Sequence, residues 1–311
     1  MVREKGGTRR VLDDIEDFVG WGAIVNLANS CMETPYYMNP HPIMTDATGE
    51  KMREKLRTRD RALVSALFLL GGRVSEILMS RVDNFLVEED FILVSNLPAL
   101  KRYKKIKEEV ERLYTFPPEG ATGYEWNPDE GCFIKYRKYT IPCIEERRPF
   151  PVPKWEPLSD YLLEYVASCE SWLFPSRYSV KRSESPGVQK WIEEKYMLDN
   201  NVRAWLSPQR AFQIVSKASE RIGLVVEKDR VNAKGIWNHW FRSQRVTQVG
   251  RDYQFANAHK NRFFGWAQPR DATTASLYSR VGEMELEEQM IENRERHERF
   301  LKRDFQRWKR K

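Results

Sequence analysis

Gly235-Ile-Trp-Asn-His239-Trp-Phe-Arg242, followed by Phe264-Gly265-Trp266 and Thr273-Thr274-Ala-Ser-Leu-Tyr278, gathers an imidazole, a guanidinium, an indole and a phenol into one stretch of chain. On a helix, His239 and Arg242 share a face with Cβ atoms about 5–6 Å apart. Imidazole exchanges a proton near neutral pH. Guanidinium presents a planar fork of donors that matches two phosphate oxygens and keeps its charge. The pair therefore suits one small anion. In a chain with 52 basic residues, however, His-x-x-Arg also arises by accident, so its meaning depends on the rest of the sequence.

The whole chain narrows the choice. Its 311 residues allow one large domain or two of ordinary size, and 41% hydrophobic content is globular rather than disordered. Lys and Arg outnumber Asp and Glu by 52 to 45, a net charge of +7 that favours an anionic partner. Cys31, Cys132, Cys143 and Cys169 stand far apart, which suits buried thiols and neither a zinc ribbon nor a disulfide framework. No pair among His41, His239, His259 and His297 has metal-ligand spacing, so no metal site is expected. No apolar run approaches the ~18 residues that span a bilayer, and the expectation is a soluble intracellular protein with no membrane partner.

Several elements flank the stretch. Residues 1–10 read as a mobile basic arm, and apolar spacing from Val11 to Met32 predicts one helix or two short ones. Pro35, Pro40 and Pro42 mark Glu33 to Thr48 as a linker. A basic run from Lys51 to Asp60 passes into apolar Ala62 to Leu70, a helix with a wet start and a buried end, stopped at Gly71-Gly72. A second helix opens at Arg73-Val-Ser-Glu76. Strands are expected at Val82–Val87 and Asp90–Ser95 around an acidic turn. Lys101 to Lys107 is a basic cluster leading into an insertion, Glu108 to Lys138. Prolines then place the extended segments after Tyr139 and Arg147 at a sheet edge. Leu158 to Ser168 is an amphipathic helix. Another runs to Ile222 with Ser207 as N-cap, Pro208 first and Gly223 as its stop, presenting Phe212, Val215, Ala218 and Ile222 to the core. One long helix from Glu283 is acidic first and basic last, as the helix dipole favours.

Three pieces now stand in order. Leu69-Leu-Gly71-Gly72-Arg73-Val-Ser75-Glu76-Ile-Leu, at a helix–helix junction, resembles the first arginine motif of the tyrosine recombinase, or phage-type integrase, family. His239-Trp-Phe-Arg242 resembles its His-x-x-Arg box. Phe263-Phe264-Gly265-Trp266 with Thr273-Thr274 and Leu277-Tyr278 resembles its closing motif, which ends on the nucleophile. The resemblance covers residues 50–282. It implies an α+β, mostly helical fold with a small antiparallel sheet: a short helical arm and linker over 1–48, a catalytic domain over 49–282 with insertions near 105–145 and 177–205, and a charged C-terminal helix over 283–311.

The same resemblance implies site-specific breakage and rejoining of DNA, as in recombination and integration, through a 3′-phosphotyrosyl intermediate without metal, ATP or other cofactor. Tyr278 would attack, Arg73 and Arg242 would hold nonbridging phosphate oxygens, and His239 would act as base or hold the phosphate. Trp266 would donate its indole N–H where many relatives use histidine. Glu76 would orient Arg73. Lys101 is the choice for the acid that protonates the leaving 5′ oxygen, with Lys104, Lys135 and Lys138 as alternatives. Tyr253 is the rival nucleophile and His259 the rival third donor. Lys104, Lys105, Arg210 and Arg245 are expected to contact DNA. The partners implied are double-stranded DNA and three further copies of the chain, a homotetramer on two DNA sites. Each C-terminal segment would dock on a neighbour through Met284, Leu286, Met290 and Ile291, its basic end tracking DNA from Arg294.

Departures from the family pattern accompany these matches. Arg73 and His239 lie unusually far apart, the spacing from Trp266 to Tyr278 is long, and residues 1–48 leave little room for the family's separate DNA-clamping domain. These features point to a mobile-element or viral integrase. Two alternatives share parts of the pattern: a type IB topoisomerase, and a DNA-binding accessory protein that keeps the fold without cleaving. His-x-x-Arg together with Gly-Trp favours the recombinase.

Overall fold

The computed structural model of the chain describes residues 18–36, 46–146, 149–175, 205–226, 234–236, 238–265 and 282–309. The chain divides into two compact units, Met1–Pro98 with Glu146–Pro175 and Trp205–Lys311, and Ala99–Glu145 with Ser176–Ala204. In chain order the elements begin with α1 (Trp21–Ser30), α2 (Asp46–Leu69), α3 (Val74–Leu78), β1 (Phe85–Val87) and β2 (Phe91–Val94). There follow β3 (Pro98–Leu113), β4 (Tyr124–Asn127), β5 (Cys132–Glu146), β6 (Phe150–Pro153) and α4 (Ser159–Ala167). The remainder are α5 (Pro208–Arg221), β7 (Val225–Val226), β8 (Lys234–Gly235), α6 (Asn238–Tyr253), α7 (Asn257–Phe264), α8 (Glu283–Glu292) and α9 (Arg294–Lys309). The architecture is mostly helical with small antiparallel sheets.

In the first unit α2 follows its sequence pattern. Its early turns expose Glu50, Lys51, Glu54 and Lys55, whereas Ala62 to Leu70 is buried without a break. α2 packs against α1, α4 and α6, and α6 in turn meets α5, α7, α8 and α9. Trp240, Phe241, Val246, Val249 and Tyr253 of α6 are buried, and so are Arg242, Gln244, Arg245, Gln248, Arg251 and Asp252. A helix so rich in charge enters a core only when its polar groups find partners there. On α5, Ser207 accepts the backbone N–H of Arg210 at 3.1 Å, and Pro208 occupies the first turn. Phe212, expected in the core, is instead exposed.

β2 lies between β1 and β6, with Ile92 opposite Val152 in an antiparallel register. Pro151 and Pro153 have no N–H to donate, so β6 sits at the sheet edge as its composition requires. In the second unit β5 pairs with β3 and β4, Trp126 standing opposite Phe133. The expected insertion is thus a three-stranded antiparallel sheet. On its surface Glu125 accepts both Lys107 and Lys138, at 2.5 and 2.8 Å.

Both ends differ from expectation. The helix of the supposed N-terminal arm belongs to the core of the first unit: Trp21 is fully buried and its indole N–H donates to Asp252 at 2.8 Å. A β-carbon on Gly22 would come within 2.6 Å of Trp308 Cβ, so α1 and α9 touch at main-chain distance. The C-terminal helix is two helices, broken at Asn293, whose side-chain amide caps back onto the Gln289 carbonyl at 3.0 Å. Of the four residues expected to dock on a neighbour, Leu286 and Met290 are buried within their own chain, and only Met284 and Ile291 are exposed. No helix among the described residues is long and apolar enough to cross a membrane.

Candidate active site

The site is assembled where three segments distant in sequence meet. Gly71 ends α2 with φ +52, a conformation glycine adopts without strain. It also tolerates no side chain, since a β-carbon there would lie 2.4 Å from Phe264 Cε1 and 3.3 Å from Arg245 Cγ. Two residues on, Arg73 precedes α3 in extended backbone (φ −71, ψ 147). Arginine has no oxygen with which to cap a helix. The N-terminus is closed from the other side, by Glu76, whose carboxylate accepts the Arg73 backbone N–H at 2.8 Å. The same carboxylate accepts Arg73 Nη1 at 2.7 Å. Glu76 is buried while the Arg73 side chain is half-exposed, so a fixed carboxylate aims a solvent-facing guanidinium.

Arg242 holds the other two segments. It is buried on α6, and it donates from Nη1 to the Gly71 carbonyl at 2.8 Å and from Nη2 to the Phe264 carbonyl at 3.2 Å. Its Cζ stands 5.4 Å from the centre of the Phe264 ring. Gly265 ends α7 in the left-handed conformation, turning the chain after Phe264. Gly71, Arg242 and Phe264, one from each matched motif, are thereby joined directly.

His239 lies one turn before Arg242 and is exposed. Partial desolvation of the imidazole where it lies against the protein, then the charges of Arg242 and Arg73, hold its pKa below the ordinary histidine value. Both guanidinium charges therefore act on one imidazole and disfavour its protonated form. Two fixed cations beside a neutral histidine make an electropositive cluster for which a phosphate is a fitting counter-ion.

The remaining expected residues fall in different places. Trp266 and Tyr278 lie outside the described residues. Lys101, Lys104 and Lys105 are on β3 of the second unit, with Lys105 exposed. Lys135 stands over the Tyr124 ring at 5.2 Å. Arg210 is half-buried on α5, lining a small cleft with Thr34, Tyr36, Asp60, Gln213 and Lys217. Arg245 corrects the sequence reading: it is fully buried and paired with Glu156 at 2.7 Å, out of reach of any DNA phosphate. Tyr253, the rival nucleophile, is also fully buried, donates to Glu156 at 2.8 Å, and has its pKa pushed well up by burial. His259 stacks on Phe255, with Nε2 3.7 Å from Glu285. The part played by Glu156 had no signal in the sequence, where it is one acid between Trp155 and Pro157. No cluster of metal-ligating side chains occurs among the described residues.

No protein-family model matches the chain, and no curated protein does. Among solved structures, the chain is similar to the XerH site-specific recombinase bound to difH substrate in a pre-cleavage complex. The sequence identity is 12% and the TM-score 0.38, over 82% of this chain and 47% of that one. The chain spans about half the length of that recombinase chain.

Proposed function

We propose that this protein is a DNA strand transferase of the tyrosine recombinase type, a site-specific recombinase or integrase. The observation that carries the reading is the Arg242 guanidinium, which ties Gly71 of the first motif to Phe264 of the last while its neighbour His239 feels both Arg242 and Arg73. Motifs matched by accident have no reason to meet through direct hydrogen bonds.

On this reading the Tyr278 phenol oxygen attacks phosphorus and the bond to the 5′ oxygen breaks, leaving a 3′-phosphotyrosyl link that conserves the bond energy for rejoining. Arg73 and Arg242 stabilise the charge that gathers on the nonbridging oxygens. His239, neutral at rest, takes the phenolic proton or holds the phosphate, Trp266 donates its indole N–H, and Lys101 supplies the proton to the leaving oxygen. The partner is double-stranded DNA, contacted through Lys104, Lys105 and Arg210, with four copies acting on two sites.

A nicked suicide DNA substrate tests the proposal by trapping the adduct. Wild type is expected to form a covalent complex and Tyr278→Phe none; absence of an adduct with wild type across candidate DNA sequences overturns the enzymatic reading. Exchange between two sites, rather than relaxation of supercoiled DNA alone, separates a recombinase from a type IB topoisomerase. The burial of Arg242 favours one second reading, a DNA-binding protein that keeps the arginine as a structural clamp and does not cleave. DNA binding without any adduct is its signature.

A further inference from the structure

Directly beneath the clamped carbonyls lies a charged pair that the roles above leave unused. Arg245 and Glu156 are each fully buried and meet at 2.7 Å. Arg245 Nη1 also donates to Gln248 at 2.7 Å, and the same Glu156 oxygen that accepts Arg245 accepts the Tyr253 phenol at 2.8 Å. The guanidinium carbon stands 5.5 Å from the Phe68 ring centre and 5.4 Å from that of Phe263.

These neighbours are the supports of the site. Phe68 belongs to the turn of α2 that leads into Gly71, and Phe263 immediately precedes the Phe264 carbonyl that Arg242 grips. Arg245 Cγ lies 3.3 Å from the point a β-carbon on Gly71 would occupy, with Phe264 closing the other side. Each carbonyl that holds Arg242 thus belongs to a segment resting on the Arg245 side chain. Hydrophobic residues of equal volume fill such positions at no cost in stability in many proteins, so a buried ion pair is weak evidence of a merely stabilising role.

We infer that Glu156 and Arg245 are positioning residues: the pair fixes the Gly71 and Phe263-Phe264 main chain, and through it the aim of Arg242. Glu156 and Gln248 anchor Arg245 through its Nη1, and the guanidinium so held lies against Phe68 of α2 and Phe263 of α7. For its consequence in phosphate chemistry the inference rests on the function proposed above; for its geometry it does not.

Two variants and two readouts test it. The triple variant Glu156→Met, Arg245→Met, Tyr253→Phe replaces the polar cluster by apolar side chains of similar volume and leaves no buried charge unpaired. Arg245→Lys keeps the charge and loses the planar fork. Thermal unfolding checks folding, proton NMR follows the His239 titration, and single-turnover cleavage is measured at saturating DNA beside the DNA Kd. In folded variants His239 is expected to titrate closer to the ordinary histidine value, because the Arg242 charge has moved. The cleavage rate is expected to fall by at least about tenfold at unchanged Kd, as a small misplacement of a transition-state donor requires.

A folded variant in which both the His239 titration and the cleavage rate keep their wild-type values overturns the inference. If the triple variant does not unfold cooperatively, Arg245→Lys carries the same two readouts with the same decision. A moved His239 titration in a protein whose wild type cleaves no DNA leaves the inference standing and removes the recombinase reading instead.

Discussion

Arg242 Nη1 donates to the carbonyl of Gly71 at 2.8 Å, across 171 residues of chain. With Nη2 on the Phe264 carbonyl at 3.2 Å, one guanidinium satisfies two buried main-chain acceptors at helix ends, where carbonyls lack intrahelical partners. Arg242→Lys offers a point charge that cannot span both carbonyls. Leaving a buried acceptor unpaired costs ~1–3 kcal/mol, so urea denaturation is expected to place Arg242→Lys lower in stability than wild type and Arg242→Ala lower still. If the arginine also faces phosphate, cleavage by a lysine variant that remains folded falls by ~10²–10³. A lysine variant with wild-type cleavage reduces Arg242 to a clamp.

Gly71→Ala tests the junction from the opposite side. The substitution demands a left-handed conformation of an L-residue and inserts a methyl 2.4 Å from the Phe264 ring. Left-handed strain and overpacking together cost about 2–5 kcal/mol. The expected result is a clear fall in the denaturation midpoint, with suppression by Phe264→Leu if the ring contact is the cause. An unchanged midpoint means that α7 does not rest on the end of α2.

Much of this arrangement is legible in the chain, for identifiable reasons. The stop at Gly71-Gly72, the cap at Ser207-Pro208 and the proline-rich edge strand follow from local backbone chemistry and stand as expected. Residues 239–242 are helical, so the face shared by His239 and Arg242 is real. The departure at α6 has a physical source. α6 carries Arg242, Gln244, Arg245, Gln248, Arg251 and Asp252, a composition that reads as a wet surface and so points Arg245 at DNA. The helix is central because each charge finds a partner on a remote segment: Glu156 for Arg245, Asp304 for Arg251, Trp21 and His297 for Asp252. Such pairings are tertiary and leave no trace in local spacing. The same pairings draw α1 and α9, expected as appendages, into the core.

His239 carries a pH prediction. Partial desolvation and two nearby guanidinium charges disfavour its protonated form, so its folded pKa lies below the ordinary value. Protonating it costs folding free energy: its contribution to stability is complete above the unfolded pKa near 6.5 and is lost as pH falls toward the folded pKa. In catalysis, the acid limb of the single-turnover rate is expected below the ordinary histidine pKa and is expected to move up in Arg73→Ala, which removes one of the charges. Binding of an anion between the arginines raises the His239 pKa, a shift that proton NMR detects on adding inorganic phosphate or uncleaved DNA. A His239 titration indifferent to both Arg73→Ala and phosphate contradicts the shared cluster.

The C-terminal helices supply the last prediction. Asp252 accepts Trp21 Nε1 at 2.8 Å, Gln248 Nε2 at 2.9 Å and Arg251 Nε at 2.6 Å, and lies 3.0 Å from His297 Nδ1; Arg251 reaches on to Asp304 at 2.7 Å. Burial opposes ionisation of Asp252, but the hydrogen bonds and charges of His297 and Arg251 outweigh it and hold the carboxyl below the usual range. The group therefore stabilises the fold above the unfolded carboxyl pKa of ~3.9 and ceases to do so as pH falls through its lower folded value. Asp252→Ala leaves Arg251, His297 and the Trp21 indole without that carboxylate in a dry site, a loss of ~3–5 kcal/mol. Truncation after Gly282 goes further, uncovering the partners of Leu286 and Met290 and removing His297 and Asp304 together. Both changes are expected to lower the cooperative unfolding transition of the first unit, by calorimetry, even in dilute protein where neighbours are absent. A truncated chain with a wild-type transition would instead mean that the helices serve a second copy and not their own.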